Sequence, residues 1–545
     1  MKPLDLPPSL SGAQIESLEF ACERSPDQGA AQPVRHAVVI VGAGPVGLTL
    51  AIDLAQRGQK VLLLDNDHKL STGSRAICFA KRTLEIWDRL GLGQRMVDKG
   101  VSWNVGKVFF RDELLYRFDL LPEEGHERPA FINLQQYYVE AFLVERAASL
   151  APNLEIRWCN NVVAVEPAGD GVVLGVDTPD GRYGVAADWL VACDGSRSAV
   201  RALIGEEAKG RAFRDRFLIA DVKMDDADFP AERWFWFDPP FHRNYSVLLH
   251  RQPDGVCRID FQLGWEADPE QEKKPENIIP RVQALLGKNA KFDLQWASVY
   301  TFACQRMARF RHGRVLFAGD AAHGVSPFGA RGANSGVQDA DNLAWKLDVV
   351  LRGQARDALL DSYAVEREQA ADENLLASTR STDFITPKSE VSRLFRDAVL
   401  ELAREHPFAR TLVNSGRLSM PTTLRHSPLN TVDADHWSSA LVPGAVASDA
   451  PLTLDGKATW LLRQLGPQFT LLVFGNSEPA WAAQLLVKTV FVDAVDDPQG
   501  LLARRYDLEP GNAVLFRPDQ HLCARWRAPT DGAVRAALAR AHGLH

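Results

Sequence analysis

No run of 18 apolar residues occurs anywhere in the chain, so a transmembrane helix is not expected. Positive charge is not in excess either. Lys and Arg total 62 against 70 Asp and Glu, the formal charge is −8 and the pI is near 6.0, which argues against nucleic acid or an anionic membrane surface as the main partner. Cysteine is sparse. The seven are scattered with no C-x-x-C pair, which predicts isolated thiols rather than a zinc site or a disulfide framework, and no metal set is recognisable. The opening "MKPLDLPPSL" has no basic-then-apolar leader, so a cytoplasmic protein is expected. No internal repeat or low-complexity segment appears. What remains is an ordinary globular composition, 46% hydrophobic, in a chain of 545 residues, long enough for a large core and two or three domains.

Along the chain, residues 1–33 are polar with Pro and Gly and read as a loose arm. "HAVVIVGAGPVGLTLAIDLAQRGQKVLLLD" then gives an apolar run, a glycine turn, a helical period and a second apolar run, the βαβ start of a doubly wound sheet. "QQYYVEAFLVERAASL" reads as a helix, and 154–193 as short strands ending in "WLVACDG". Period-two stretches such as "YSVLLHRQ" and "CRIDFQLGW" predict an antiparallel sheet over 211–305. The expected division is an α/β domain at 34–210 and an antiparallel sheet at 211–305. A completion of the first domain with helices follows at 306–420, then a linker at 421–450 and a small α/β domain at 451–545.

Gly42-Ala43-Gly44-Pro45-Val46-Gly47 follows a strand and opens a helix, and Asp65 ends the next strand. The first glycine permits a tight turn, the second lets backbone approach a pyrophosphate, and the third lets helix and strand pack closely. The helix N-terminus offers free N–H groups to the anion, while the Asp carboxylate accepts from ribose hydroxyls. This spacing points to an adenine dinucleotide without choosing between FAD and NAD(P). Two further motifs accompany it. "DWLVACDGSRSAVR" places Asp194, Gly195, Ser198 and Arg201 at a strand-to-helix turn, and "GRVLFAGDAAHGVSPFGARGAN" places Gly319 and Asp320 at the end of another strand.

With these three fingerprints in order, the chain resembles the group A flavoprotein monooxygenases, FAD-dependent aromatic hydroxylases built like 4-hydroxybenzoate hydroxylase. The likeness runs over roughly residues 36–380. It is nearest to the longer members, such as 3-(3-hydroxyphenyl)propionate hydroxylase and pentachlorophenol monooxygenase, through "FWFDPPFHRNYSVLL", "DALLDSYAVERE" and "HSPLN". The resemblance implies a Rossmann-like FAD domain interleaved with an antiparallel substrate sheet, and a C-terminal thioredoxin-like domain at 451–545 without C-x-x-C. It also implies NADH or NADPH and O₂ as co-substrates and oxygen transfer to a phenolic ring through a flavin C4a-hydroperoxide. By resemblance Gly42, Gly44, Pro45, Val46 and Gly47 hold the FAD pyrophosphate and Asp65 the adenosine ribose. Arg75 lies beside the flavin and Gln136, with Gln135 as a competing alignment, near the ribityl and phosphate region. Asp194 serves FAD and pyridine nucleotide, and Gly319 with Asp320 the ribityl chain. Gly332, Ala333 and Asn334 sit at the flavin ring, with Asn334 expected as N-cap and Gly329, Gly332 and Gly336 letting backbone meet the flat ring. The positive helix end then faces the pyrimidine edge of the flavin.

On the substrate side the expected residues are Pro327 in the glycine-rich joint, and Arg243 or Tyr245 reaching an acidic phenol. Trp234 and Trp236 would share one strand face and pack. His323 is expected to shape its loop, Cys193 to lie in the core, and Arg331 adds charge near the site or a surface contact. The C-terminal domain is expected to serve packing or oligomerisation, including a homodimer. Two rivals have different chemistry. "WFWFDPP" superficially resembles the W-x-W-x-I-P of flavin-dependent halogenases but lacks Ile-Pro, and a non-catalytic binding protein could use the same scaffold.

Overall fold

The computed structural model describes the chain apart from residues 1–5, 8–10, 74, 214, 225–228, 414–417, 476–478, 486 and 545. Continuous apolar runs make the strands Val34–Val41 and Val61–Leu64, which are buried on both faces as parallel strands under helices must be. The sheet runs Leu154–Arg157, Val61–Leu64, Val34–Val41, Gly181–Ala192 and Val315–Phe317 in parallel, with Arg311–His312 antiparallel at its edge. The helix Pro45–Gln56 packs between the helices Gln136–Ala148 and Gly332–Leu351. This order puts Gly42, Asp194 and Gly319 together, because each follows the C-terminal end of a neighbouring strand, where ligands of open α/β sheets bind.

A second sheet of seven strands runs Asp293–Tyr300, Arg216–Lys223, Val256–Leu263, Ser246–Arg251, Arg233–Phe237, Val105–Phe110 and Glu113–Asp119. Its last two strands come from within 34–210. Alternation along Arg233–Phe237 sends Trp234 and Trp236 to the outer face, where Trp236 stacks on Phe109 at 5.0 Å and the helix Pro275–Leu286 contributes Ile278 and Val282 to the same cluster. The inner face carries Arg233, Phe235 and Phe237. A third, four-stranded sheet runs Lys488–Val492, Thr470–Phe474, Ala513–Phe516 and Leu522–Trp526, the first pair parallel and the others antiparallel. Residues 421–450 form neither helix nor strand but are tied to this sheet through Thr431 N–H to Cys523 O and Gly444 N–H to Leu522 O.

Two expectations are corrected. Cys22 and Cys159 are not isolated thiols, because their Cα atoms lie 5.5 Å apart and their sulfurs are joined. A sequence separation of 137 hides the pairing from the sequence. Nor is the segment after residue 10 loose. Ile15 is buried, Phe20 stacks on Trp158 at 4.4 Å, and Asp27 pairs with Arg157 and His36 at 2.8 Å. The opening decapeptide falls mostly outside the described residues. Among the described residues no helix is long and apolar enough to cross a membrane.

Candidate functional site

The three glycines of the first loop are required for three different reasons. Gly42 has φ +107, and a Cβ there would meet Cys193 O at 2.4 Å. A Cβ on Gly47 would strike Gly42 O at 2.0 Å, so helix and strand could not pack as they do. At Gly44 nothing lies within 4 Å of a Cβ, so the space above it is open. Gly44 is the N-cap of Pro45–Gln56 and gives no side-chain cap, so the N–H groups of the first turn face that space with the dipole behind them. Asp65 accepts from Ala43 N–H at 2.5 Å and Asp67 N–H at 2.8 Å, which fixes the loop, and burial raises its pKa.

Asp194 caps the Ala199–Leu203 turn by accepting from Val200 N–H at 3.0 Å, while its other carboxylate oxygen is buried without a partner. Among the described residues the Asp320 carboxylate has no hydrogen-bond or ion-pair partner, and a Cβ on Gly332 would come 4.0 Å from it. It is exposed at the surface, yet the protein around it raises its pKa against the pull of His323. Behind it, His323 Nε2 lies 2.6 Å from Asp339 Oδ2, and Asp339 also accepts from Arg367 at 2.6 Å and Gly319 N–H at 2.9 Å. Burial pushes the Asp339 carboxyl upward, but His323 and Arg367 outweigh it and hold it below the usual range. His323 thus braces the turn.

The helix Gly332–Leu351 starts one residue after Arg331, its N-cap, which gives no side-chain cap bond. Asn334 is therefore not the N-cap. It is a buried cross-link, accepting from Ala80 N–H at 2.8 Å and Thr83 Oγ1 at 2.6 Å and donating to Cys78 O at 2.9 Å and Ala330 O at 2.6 Å. Gly336 does not meet the open cleft, since a Cβ there would lie 2.6 Å from Val46 and 3.1 Å from Gly319. Ala333 is half-buried in the same turn, and Arg331 reaches Asn374 at 3.2 Å. Gln136 accepts from Ala76 N–H at 3.0 Å and donates to Ser71 and Glu140, bracing the loop that carries Arg75, whereas Gln135 is buried toward Pro253. Arg75 itself is exposed.

These features fit a bound FAD. There is an open cradle over Gly44, a buried carboxylate oxygen on Asp194 without a partner, a free carboxylate at Asp320 and two uncapped helix N-termini. Next to the Gly332 turn lies a small cavity of about 60 Å³ lined by Phe118, Arg233, Phe235, Phe237, Phe328 and Gly329. Pro327 is exposed on the joint that supplies Phe328 and Gly329. Arg243 and Tyr245 do not line this cavity. They lie beyond the end of the Arg233–Phe237 strand, where Arg243 is exposed near Asp238 and Tyr245 packs on His242. Arg233 was missed, although alternation alone places it opposite the two tryptophans.

The FAD binding domain family matches residues 35–378. Over 93% of this chain and 94% of its own length, the 6-methylpretetramide 4-monooxygenase of Streptomyces rimosus is 31% identical. The 3-(3-hydroxy-phenyl)propionate/3-hydroxycinnamic acid hydroxylase of Escherichia coli O139:H28 is 30% identical over 90% of this chain and 92% of its own. The flavin-dependent monooxygenase PieE, solved with FAD and substrate, superposes with a TM-score of 0.80 at 23% identity, covering 94% of this chain and all of that one, and so shares the fold.

Proposed function

The chain belongs to the FAD-binding family of aromatic monooxygenases, the group A hydroxylases, and on that premise we propose that it hydroxylates a phenolic ring in the phenylalanine-walled cavity beside Gly332. The single observation that carries this is the joint at 319–336. One short segment supplies a free carboxylate, an uncapped helix start and the Phe328–Gly329 wall of an aromatic cavity. FAD, when bound, takes reducing equivalents from NADH or NADPH and activates O₂ so that one oxygen atom goes to the ring.

Each residue then has a task. Gly42, Gly44, Pro45, Val46 and Gly47 cradle the pyrophosphate, and Asp65 holds the adenosine ribose. Asp194, Gln136, Gly319 and Asp320 hold the linker between the two halves of the cofactor. The N–H groups of Gly332, Ala333 and Asn334 present positive potential where the reduced cofactor carries charge. Arg75 covers the cleft from its exposed loop, and Pro327 turns the joint so that Phe328 faces the ring. The cavity walls orient the substrate and exclude water. The domain division follows: FAD domain 34–210 with 306–420, substrate domain 211–305 joined by strands from 105–119, linker 421–450 and terminal domain 451–545. A cytoplasmic location and a homodimer through the terminal domain complete the proposal. The terminal domain has no C-x-x-C pair, which favours packing over thiol exchange as its use.

Relatives spanning nine-tenths of the chain are oxygenases, which favours this function over halogenation or simple binding. The test is a screen of phenols for stimulated NAD(P)H oxidation by the yellow holoprotein, with products identified by mass. A product carrying one added oxygen atom supports it. A requirement for halide, or oxidation that no phenol stimulates, overturns it.

A further inference from the structure

Cys22 and Cys159 do not stand alone, because His68 closes on them. The three come from the N-terminal arm, the loop after Val61–Leu64 and the turn after Leu154–Arg157. A ring nitrogen of His68 and the two sulfurs all lie within 4.8 Å of one another. Contacts that owe nothing to the sulfurs bring them together. Phe20 N–H donates to His68 O at 2.8 Å, and the Phe20 ring stacks on Trp158. Glu19 pairs with Lys69 at 2.6 Å, and Cys159 N–H donates to Asp67 O at 3.1 Å. Core packing does not account for these residue types, since Cys22 is exposed and His68 and Cys159 are only half-buried. Nor does the turn, for Cys159 sits in the left-handed region at φ +57, which Gly or Asn would take with less strain. The Asp67 carboxylate, 3.6 Å from His68 Nδ1, adds negative charge beside the cluster. In a reducing cytoplasm structural disulfides are rare, and thiols that converge there serve a metal or a reaction.

We propose that Cys22, His68 and Cys159 form a zinc site in the reduced protein, clasping the N-terminal arm to the adenosine end of the FAD cleft. Two thiolates and one imidazole suit zinc rather than magnesium or calcium. Bonds of about 2.3 Å to sulfur and about 2.0 Å to nitrogen fit three donors this close, and the fourth position is left to water. Reducing the Cys22–Cys159 bond takes two electrons and two protons from a cellular dithiol, which leaves as its own disulfide. Zinc then displaces the two thiol protons as it binds. The clasp bears on the cofactor because Asp65 heads the same loop and its carbonyl accepts from Asn160 N–H, in the Cys159 turn, at 2.7 Å. This inference rests on the proposed cytoplasmic location and is independent of the hydroxylase reaction.

The test uses the full-length, FAD-loaded protein. Thiols are trapped by alkylation in acid as cells are harvested, and Cys22 and Cys159 should both be found alkylated. Reduced, metal-stripped protein is then titrated with Co²⁺, which should bring up thiolate-to-cobalt charge-transfer absorption together with tetrahedral cobalt bands. Cys22→Ser and Cys159→Ser should each remove the charge-transfer signature of the two-thiolate site. His68→Ala should weaken Co²⁺ binding by about tenfold or more, since even a group that only orients a ligand is worth that much. A second measurement keeps the site apart from a folding effect. Zn²⁺ should slow tryptic cleavage after Arg24 in the reduced wild type and leave it unchanged in Cys22→Ser. Reduced wild type that takes up no Co²⁺, or Cys22→Ser that binds it as tightly with the same spectrum, overturns the site while the cytoplasmic location stands. A Cys22–Cys159 disulfide in freshly harvested cells overturns both. Neither result touches hydroxylation, which the phenol screen reads separately.

Discussion

At the scale of single residues, what decides a role is whether a polar group has its partner inside the protein. Asp320 has none, so Asp320→Ala should weaken FAD by about 1.5–3 kcal/mol while leaving the apo protein's melting temperature unchanged. Titration of apo protein with FAD checks the first, and scanning calorimetry the second. Unaltered FAD affinity overturns the assignment. Asp260 is the converse case, a carboxyl whose pKa burial raises to about 6, with Arg258 and Arg233 pulling it down and Asp221 up. Its folded value lies above its unfolded value of roughly 4, so its favourable contribution is complete below about pH 4 and lost as pH rises through 6. Asp260→Asn should therefore stabilise the apo protein by about 2 kcal/mol at pH 8 and scarcely at pH 4, as urea unfolding at the two pH values would read. Equal effects at both would overturn the sign. The glycine loop and Asp320 were legible in the sequence because their geometry is local and each residue type has a stereochemical reason. Arg233 was not, because strand alternation gives the face a residue takes but not which face meets the cavity.

At the scale of elements, the helix Gly332–Leu351 joins the site to the core. Gly332 has no positive φ, and a Cβ there would find Val325 at an ordinary 3.6 Å. Gly332→Ala should then melt normally as apo protein, and Gly332→Val nearly so, with stabilisation by added FAD falling in the order Gly, Ala, Val. Equal loss of apo stability in both variants, with FAD binding intact, would show that the glycine serves only the turn. Two residues on, the logic reverses. Asn334 is 1% exposed and satisfies four groups, so Asn334→Ala leaves buried donors and acceptors unpaired and should cost about 2–4 kcal/mol in urea unfolding. An unchanged midpoint would refute that. The sequence announces this helix through Val337, Ala340, Ala344 and Leu347, yet it suggests Asn334 as a cap. Asn is a good N-cap on local grounds, and its true partners, Cys78, Ala80 and Thr83, lie some 250 residues away. The docked arm and the Cys22–Cys159 link escaped the sequence for the same reason.

At the scale of the molecule, the terminal domain grips the same helix from its other end. Lys346, Glu366, Arg517 and Asp519 are all fully buried, with Glu366 bonded to Lys346 at 2.7 Å and to Arg517 at 2.6 Å, and Arg517 to Asp519 at 2.5 Å. Nearby, Arg82 joins Asp341 at 2.9 Å to the backbone carbonyl of Asp519 at 2.8 Å. A small apolar interface would let the domains part cheaply, but here parting exposes charges that hold one another. Removing one partner of such a set costs about 3–5 kcal/mol, whereas replacing the set by packed apolar residues can cost nothing. Arg517→Met should therefore split the single melting transition into two, with the terminal domain melting first, because Glu366 and Asp519 are left facing each other across the interface. FAD should still bind, since no cradle residue touches Arg517. Adding Glu366→Leu and Asp519→Asn to Arg517→Met should recover part of the lost stability, which separates a charge lock from simple loss of packing. A single, unshifted transition in Arg517→Met would mean that the apolar contacts of Trp345 and Phe469, 5.6 Å apart across the same boundary, hold the domains without the charges.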